Sequence, residues 1–452
     1  MLVPTALVLL AGALRLWGLD TPERLYFDEK YYANDALDYV RRGVEDGRPV
    51  HPPLGKWLIA AGVEVFGNGG WGWRIASAVA GTLTVLVTYL LGRRLTGSVV
   101  LSGLAGLLVA VDGLAFTASR IAMLDVFLGL FLAIAVLLVL VDVRRRQLRP
   151  GSARASLVGS RWRWLAGLVL GLAVATKWSG FLGVLACGLI VVGAEAALPA
   201  ASWRGRTGRV LAAGTGMVVS LLVLPFAVHL AAYAGWFASY EESYAGAKAC
   251  GDAAACDHGA LERLATWWDF QGELVRYHQD LEATHAYRSS PAGWPVLLRP
   301  VLQYRESCPD SGRTEDRPCV VEPGERATIL GLGNPALWWP ALLACPPLLW
   351  QAVRRRTAAP AVVMVTVLSL WLPWFASGKP GYLFYLVPAV PFVALALAIA
   401  LGGVRRPRVR TALVALTAVL AVAMFVFFYP ILVGTPLSPS ELSARLWLPS
   451  WD

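Results

Sequence analysis

Charge is scarce in this chain. Of 452 residues only 15% are Asp, Glu, Lys or Arg, while 57% are hydrophobic. A soluble protein of this length would form two or three domains with about 25% charged residues. Mean hydropathy of +0.56 excludes that class. There are five histidines, and outside the cysteine clusters no His and carboxylate set has ligand spacing, so neither a metal nor another cofactor is expected. There is no basic arm and no aromatic-basic stripe. The net charge of +10 therefore does not point to nucleic acid. The first apolar stretch lacks a small-residue cleavage site and leads into further apolar stretches, so it is read as a retained helix.

What is present is a series of long apolar runs. A membrane span needs about 20 mostly apolar residues. Eleven candidates lie near 2–18, 71–92, 97–115, 121–141, 163–178, 180–198, 209–232, 336–352, 360–376, 381–402 and 411–433. The arginines fall in alternate connections. They are Arg93 and Arg94; Arg144 to Arg146 with Arg149, Arg154 and Arg161; Arg204, Arg206 and Arg209; Arg354 to Arg356; and Arg405, Arg406, Arg408 and Arg410. With eleven spans all of them face one side, which the positive-inside rule makes cytoplasmic. The N-terminus is then expected inside and the C-terminus outside. Three regions follow: an N-terminal membrane module over 1–232 with a first outer loop at 19–70, a large outer loop over 233–335, and a C-terminal membrane module with an outer tail over 336–452.

The large loop holds fifteen acids against nine bases and four of the six cysteines. Such clustering fits an oxidising compartment. Four cysteines permit three pairings, of which the local one, Cys250–Cys256 with Cys308–Cys319, is expected. Neither pair has common zinc spacing. Cys187 and Cys345 lie in spans as packing residues.

In the first outer loop, YFDEKYYANDALDYVRR at 26–42 places Tyr32, Ala36, Leu37 and Val40 at helical spacing. A helix lying on the membrane surface is expected there. Asp28 and Glu29 stand at its start, where acids commonly do no more than complement the helix dipole. HPPLGKWLIAAGVEVFG follows at 51–67. Its Pro-Pro pair forces an extended approach, and Trp57 and Phe66 suit an interface. Four bases break the positive-inside pattern: Arg74, Arg120, Lys177 and Lys379 all fall at the outer face. Together they suit a bound anionic group such as a lipid phosphate. The alternative is pairing with Asp112 or Asp125 near the same face.

These motifs resemble those of the protein O-mannosyltransferases, in particular the bacterial, actinobacterial-type branch. FDE at 27–29 is similar to the family's acidic pair, and HPPLGK at 51–56 to its second signature. DGLAFTASRIAMLD at 112–125 resembles the stretch bearing the family's Arg, here Arg120. YHQDLEATHAYRSSPAGWPVLLRP at 277–300 resembles its His, Tyr and Trp-Pro pattern, here His278, His285, Tyr287 and Trp294, with GNPALWW at 333–339 after it. Two positions depart: Ala286 stands where the family usually has Pro, and Ala292 where it usually has Trp. The large loop is too short for the β-trefoil that eukaryotic members insert.

The resemblance implies an all-α polytopic membrane protein of the GT-C glycosyltransferase fold, with about eleven spans and surface helices in both outer loops. It implies a polyprenyl-phosphate-mannose donor, a Ser or Thr acceptor on a polypeptide during translocation, and a surround of membrane lipids. Transfer would invert the sugar, with Asp28 as general base and Glu29 supporting it. Arg120, Arg74, Lys177 and Lys379 would meet the donor phosphate and membrane interface. His51, His278, His285, Tyr287 and Trp294 are further site candidates. Two other readings stand beside this one: a transferase of the same fold acting on a lipid or polysaccharide, and a transporter.

Overall fold

The computed structural model describes every residue except 1, 46, 48, 149–152, 200–201, 252–255, 281–285, 309–312, 315–316, 319–320 and 379–380. Among the described residues nine helices are long and apolar enough to cross a membrane, from Gly70–Thr96 to Pro407–Phe428. Two shorter apolar helices, Leu2–Leu16 and Val99–Ala110, occupy the two remaining hydropathy peaks. The Leu383–Gly402 span is 83% buried by its neighbours, against 17% for Pro407–Phe428. The first is therefore the centre of the bundle and the second its lipid-facing edge.

Small residues let the spans approach closely. A Cβ on Gly167 would lie 1.7 Å from the Ser220 carbonyl oxygen, so only glycine fits where the helix Arg161–Thr176 meets the span Trp203–Ala232. Capping sets the breaks between helices. Asp112 ends one apolar run and starts the next, its Oδ1 accepting from the Ala115 amide at 2.8 Å. Its Oδ2 accepts from the Asn334 amide (2.9 Å) and the Trp338 indole (2.8 Å). Asn334 in turn starts the helix Pro335–Arg354. One carboxylate thus joins the two membrane modules. At the opposite end of the bundle two buried ion pairs tie adjacent spans, Arg163 to Asp142 at 3.0 Å and Arg146 to Glu195 at 2.9 Å.

The first loop carries the expected helix, Glu29–Arg42, followed by Leu54–Phe66. The large loop carries the amphipathic helix Ala260–Gln279, which buries Trp267, Phe270 and Leu274. These pack with Tyr233, Trp236 and Tyr240 into an aromatic cluster separate from the main core. Cys250 and Cys256 are joined beside it. Cys308 is also disulfide-bonded, and Cys319 lies outside the described residues.

The loop and the C-terminal tail have strands as well, which the sequence pattern did not announce. In chain order they are β1 (Val301–Ser307), β2 (Arg313–Thr314), β3 (Arg317–Pro318), β4 (Arg326–Gly331) and β5 (Pro436–Leu437). β2 and β3 pair as a small ribbon, while β1, β4 and β5 form an antiparallel sheet in that order. The register runs from Val301 opposite Gly331 to Ser307 opposite Arg326, and β5 sets Leu437 opposite Arg326. The tail beyond β5 continues the attachment, with the Trp451 indole donating to the Leu297 carbonyl (2.7 Å) and Arg305 paired to Asp452 (3.0 Å).

Candidate active site

A cavity of about 600 Å³ opens at the end of the bundle that carries both loops. Four stretches far apart in sequence build it: the first loop at 27–51, the connection at 177–182, the loop helix at 277–278, and the segment 373–385. With eleven spans each of these stretches belongs to, or borders, a connection on the same face.

Asp28 lines this cavity. It occupies the N-cap position of Glu29–Arg42, where its carbonyl accepts from the Tyr31 and Tyr32 amides at 3.0 and 3.4 Å. Its carboxylate makes no capping bond, so its structural part at this position is at most to complement the helix dipole. The preceding residue, Phe27, has φ of 52°. A bulky side chain adopts that left-handed conformation only when its surroundings impose it, and such strain concentrates at functional sites. The Phe27 ring meets Phe384 edge-on at 5.6 Å, which holds the turn in place.

Glu29 points elsewhere. It is fully buried and forms a two-point ion pair with Arg74, at 2.7 Å to Nη2 and 3.1 Å to Nε. It also accepts from the Ala122 amide at 3.0 Å. Arg74 donates further to the Leu19 and Arg24 carbonyls, both at 2.9 Å. The pair therefore fastens the first loop to the Gly70–Thr96 helix and to the turn after Arg120. Arg120 does similar work. Its Nη1 donates to the carbonyls of Trp17 (2.6 Å), Arg15 (3.0 Å) and Leu14 (3.2 Å), and its Nη2 to Gly18 (2.7 Å). Neither arginine lines the cavity. Lys56, the last residue of HPPLGK, is wholly buried between Asp35 and Glu45, each at 3.0 Å. Burial pushes the Asp35 carboxyl above its usual range despite that partner.

Lys177 does line the cavity. It pairs with Asp125 at 2.8 Å and sits 5.3 Å from the Tyr385 ring centre and 5.6 Å from that of Phe384. Of the two acids that could have partnered the outer bases, Asp125 takes Lys177, while Asp112 is occupied by the neutral donors described above. His51 and His278 stack across the cavity wall with ring centres 5.5 Å apart, and His278 Nε2 meets the Val50 carbonyl at 2.9 Å. Trp294 stands behind the wall, 99% buried, packed against Trp374 and Tyr385. Tyr287 lies under Arg299 and does not line the cavity. His285 and Lys379 fall outside the described residues.

Much of the remaining wall is aromatic, with Tyr31, Tyr32, Trp178, Trp374, Tyr382 and Tyr385. Burial and then the charge of Asp28 hold the Tyr32 and Tyr382 hydroxyls above their ordinary pKa, so both remain donors at neutral pH. Sequence reasoning missed most of these residues. GYLFYL at 381–386 is the one legible signal, but aromatics at a span end read equally as an interfacial belt. Among the described residues the one cluster with metal-ligand geometry is Cys250, Cys256 and His258. Its two sulfurs are bonded to each other, so it is not a ligand set.

A family model described as dolichyl-phosphate-mannose-protein mannosyltransferase matches residues 5–71 and 68–240. The C-terminal four-span region of protein-O-mannosyltransferase matches 263–451. The chain belongs to the protein mannosyltransferase family. A polyprenol-phosphate-mannose–protein mannosyltransferase of Mycolicibacterium smegmatis is 36% identical over 98% of this chain and 91% of its own length. The Mycobacterium tuberculosis relative of the same name is 34% identical over 99% and 90%. The fold is that of the GT-C membrane glycosyltransferases. The S. cerevisiae protein O-mannosyltransferase Pmt1-Pmt2 complex bound to the sugar donor superposes with a TM-score of 0.78 at 16% identity, covering 100% of this chain and 92% of the other. ArnT from Cupriavidus metallidurans bound to undecaprenyl phosphate gives 0.59 at 17% identity, covering 98% and 77%. In this mannosyltransferase the four-span match takes in the four helices from Pro335 to Phe428, together with the large loop from residue 263 and the tail.

Proposed function

We propose that this membrane enzyme transfers mannose from a polyprenyl-phosphate-mannose donor to Ser or Thr hydroxyls of polypeptides on the extracytoplasmic face, inverting the anomeric centre, with Asp28 as general base. The observation that carries the assignment is that Asp28 lines the cavity behind a strained Phe27 and makes no capping bond. An acceptor hydroxyl is a poor nucleophile until a positioned carboxylate takes its proton. Phosphate leaves as a weak base, so the reaction needs charge stabilisation and no general acid. Lys177 lines the wall where Arg74 and Arg120 do not, and is our assignment for that charge. Arg74 and Arg120 act one step back, by fixing the backbone that carries Asp28, and Glu29 supports Asp28 in the same way. The aromatic wall suits the apolar faces of a sugar and the first isoprene units.

The alternation of the short arginine runs supports the orientation, since the cavity stretches lie in the other set of connections, where in the large loop acids outnumber bases. The test is transfer of labelled mannose from a polyprenyl-phosphate donor to a Ser/Thr peptide by purified protein in detergent. Mannosylated peptide that is lost in Asp28→Asn is the expected result. Product on a lipid or polysaccharide instead of the peptide would reassign the acceptor, and donor movement without transfer would mark a transporter.

A further inference from the structure

A second hollow, of about 790 Å³, lies among the helices Leu124–Leu148, Gly180–Ala197 and Ala358–Trp371. Asp125 beside the first cavity and Arg144 beside the second are on one helix, nineteen residues apart. At 1.5 Å per residue that is about 28 Å, close to the hydrocarbon thickness of a bilayer. The two hollows therefore open at opposite membrane interfaces.

The walls of the second hollow are aliphatic, with Leu140, Leu189, Ile190, Val362 and Val365 among them. Arg94, Arg144, Arg206 and Arg356 also line it, all four exposed, and no acid does. The acids at this end of the bundle are Asp142 and Glu195, which are buried and already hold Arg163 and Arg146. None of the four exposed arginines makes an ion pair or donates a side-chain hydrogen bond among the described residues. Four unneutralised guanidinium groups thus border an apolar groove that opens toward lipid. The space is real at Gly193, where an added Cβ would meet nothing within 4 Å.

We propose that this groove binds an anionic phospholipid of the surrounding leaflet, with its phosphate between the arginines and an acyl chain along the aliphatic wall. Guanidinium matches phosphate oxygens in a planar fork. Basic pockets between transmembrane helices are suited to anionic head groups. Free phosphate would leave the aliphatic wall exposed, and a zwitterionic lipid would leave the arginines unbalanced. The site is independent of the transfer reaction proposed above.

Full-length protein would be purified in detergent and mixed with phosphatidylglycerol or phosphatidylcholine, and retained lipid counted by native mass spectrometry. The wild type is expected to retain phosphatidylglycerol in preference. Arg144→Gln with Arg356→Gln should weaken that retention about fivefold for each arginine removed. Gly193→Phe, which projects into open space and leaves the arginines in place, should expel the lipid by filling the groove. Equal retention of the two lipids would overturn the proposal. So would unchanged phosphatidylglycerol binding in either variant, or displacement of the lipid by inorganic phosphate alone.

Discussion

Asp28 and Glu29 are chemically similar neighbours with divergent surroundings, one on the cavity wall and the other buried against Arg74. Their substitutions should separate accordingly. Asp28→Asn is expected to fold and to melt close to the wild type, since Asn keeps the shape of the side chain, yet to transfer mannose at least about a hundredfold more slowly. Steady-state rates and melting in detergent check both halves, and near-normal transfer would remove Asp28 from the chemistry. Glu29→Gln leaves the Arg74 charge buried without its partner, a loss of about 3–5 kcal/mol in comparable sites. Its melting temperature should drop clearly, and Glu29→Gln with Arg74→Met should recover part of the loss; additive losses would show the pair to be uncoupled. Lys177→Met should raise the donor KM more than Asp28→Asn does, if its charge meets the phosphate. The sequence could present Asp28, Glu29, Arg74 and Arg120 as a set of outer-face charges, but not sort them. Sorting depends on which atoms the 14–24 and 119–123 backbone brings to each guanidinium, and hydropathy and spacing carry no trace of that.

The spans were legible as elements because lipid demands long apolar runs with every backbone group satisfied internally. Helix Glu29–Arg42 was legible from its apolar spacing. Strands β1 and β4 were not. β4 reads RATILG with five consecutive buried residues, so it lacks the alternation that marks a half-exposed strand. The neighbouring loop unit depends on its cross-link. Cys250–Cys256 closes a short loop against the aromatic cluster of Trp236, Trp267 and Phe270. Replacing both cysteines by serine is expected to cost about 2 kcal/mol locally. Limited proteolysis should then cut the 240–280 segment faster, while the spans stay resistant; equal cutting rates would mean that the cluster holds without the bond.

For the whole molecule, the alternate arginine runs predict which connections share a face, and the strand pairing supplies a parity check on the C-terminal spans. Four spans separate β4 from β5, an even number, and the two strands do meet. Sidedness itself has a direct test. With Cys187 and Cys345 removed, Glu241→Cys should react with an impermeant maleimide on intact cells, and Gln147→Cys only after permeabilisation; the reverse pattern would invert the orientation. The pairing of β4 with β5 also sets a clock on synthesis. About a hundred residues separate Gly331 from Pro436, which at roughly 5–20 residues per second is on the order of 5–20 s of translation. Until the last helix has been threaded and the tail delivered, β4 has an open edge and the Leu297 carbonyl lacks the Trp451 indole. A ribosome stalled within Pro407–Phe428 would hold a nascent chain whose largest loop is still unlatched, and that species, rather than the finished enzyme, is the one open to proteolysis and mispairing during biogenesis.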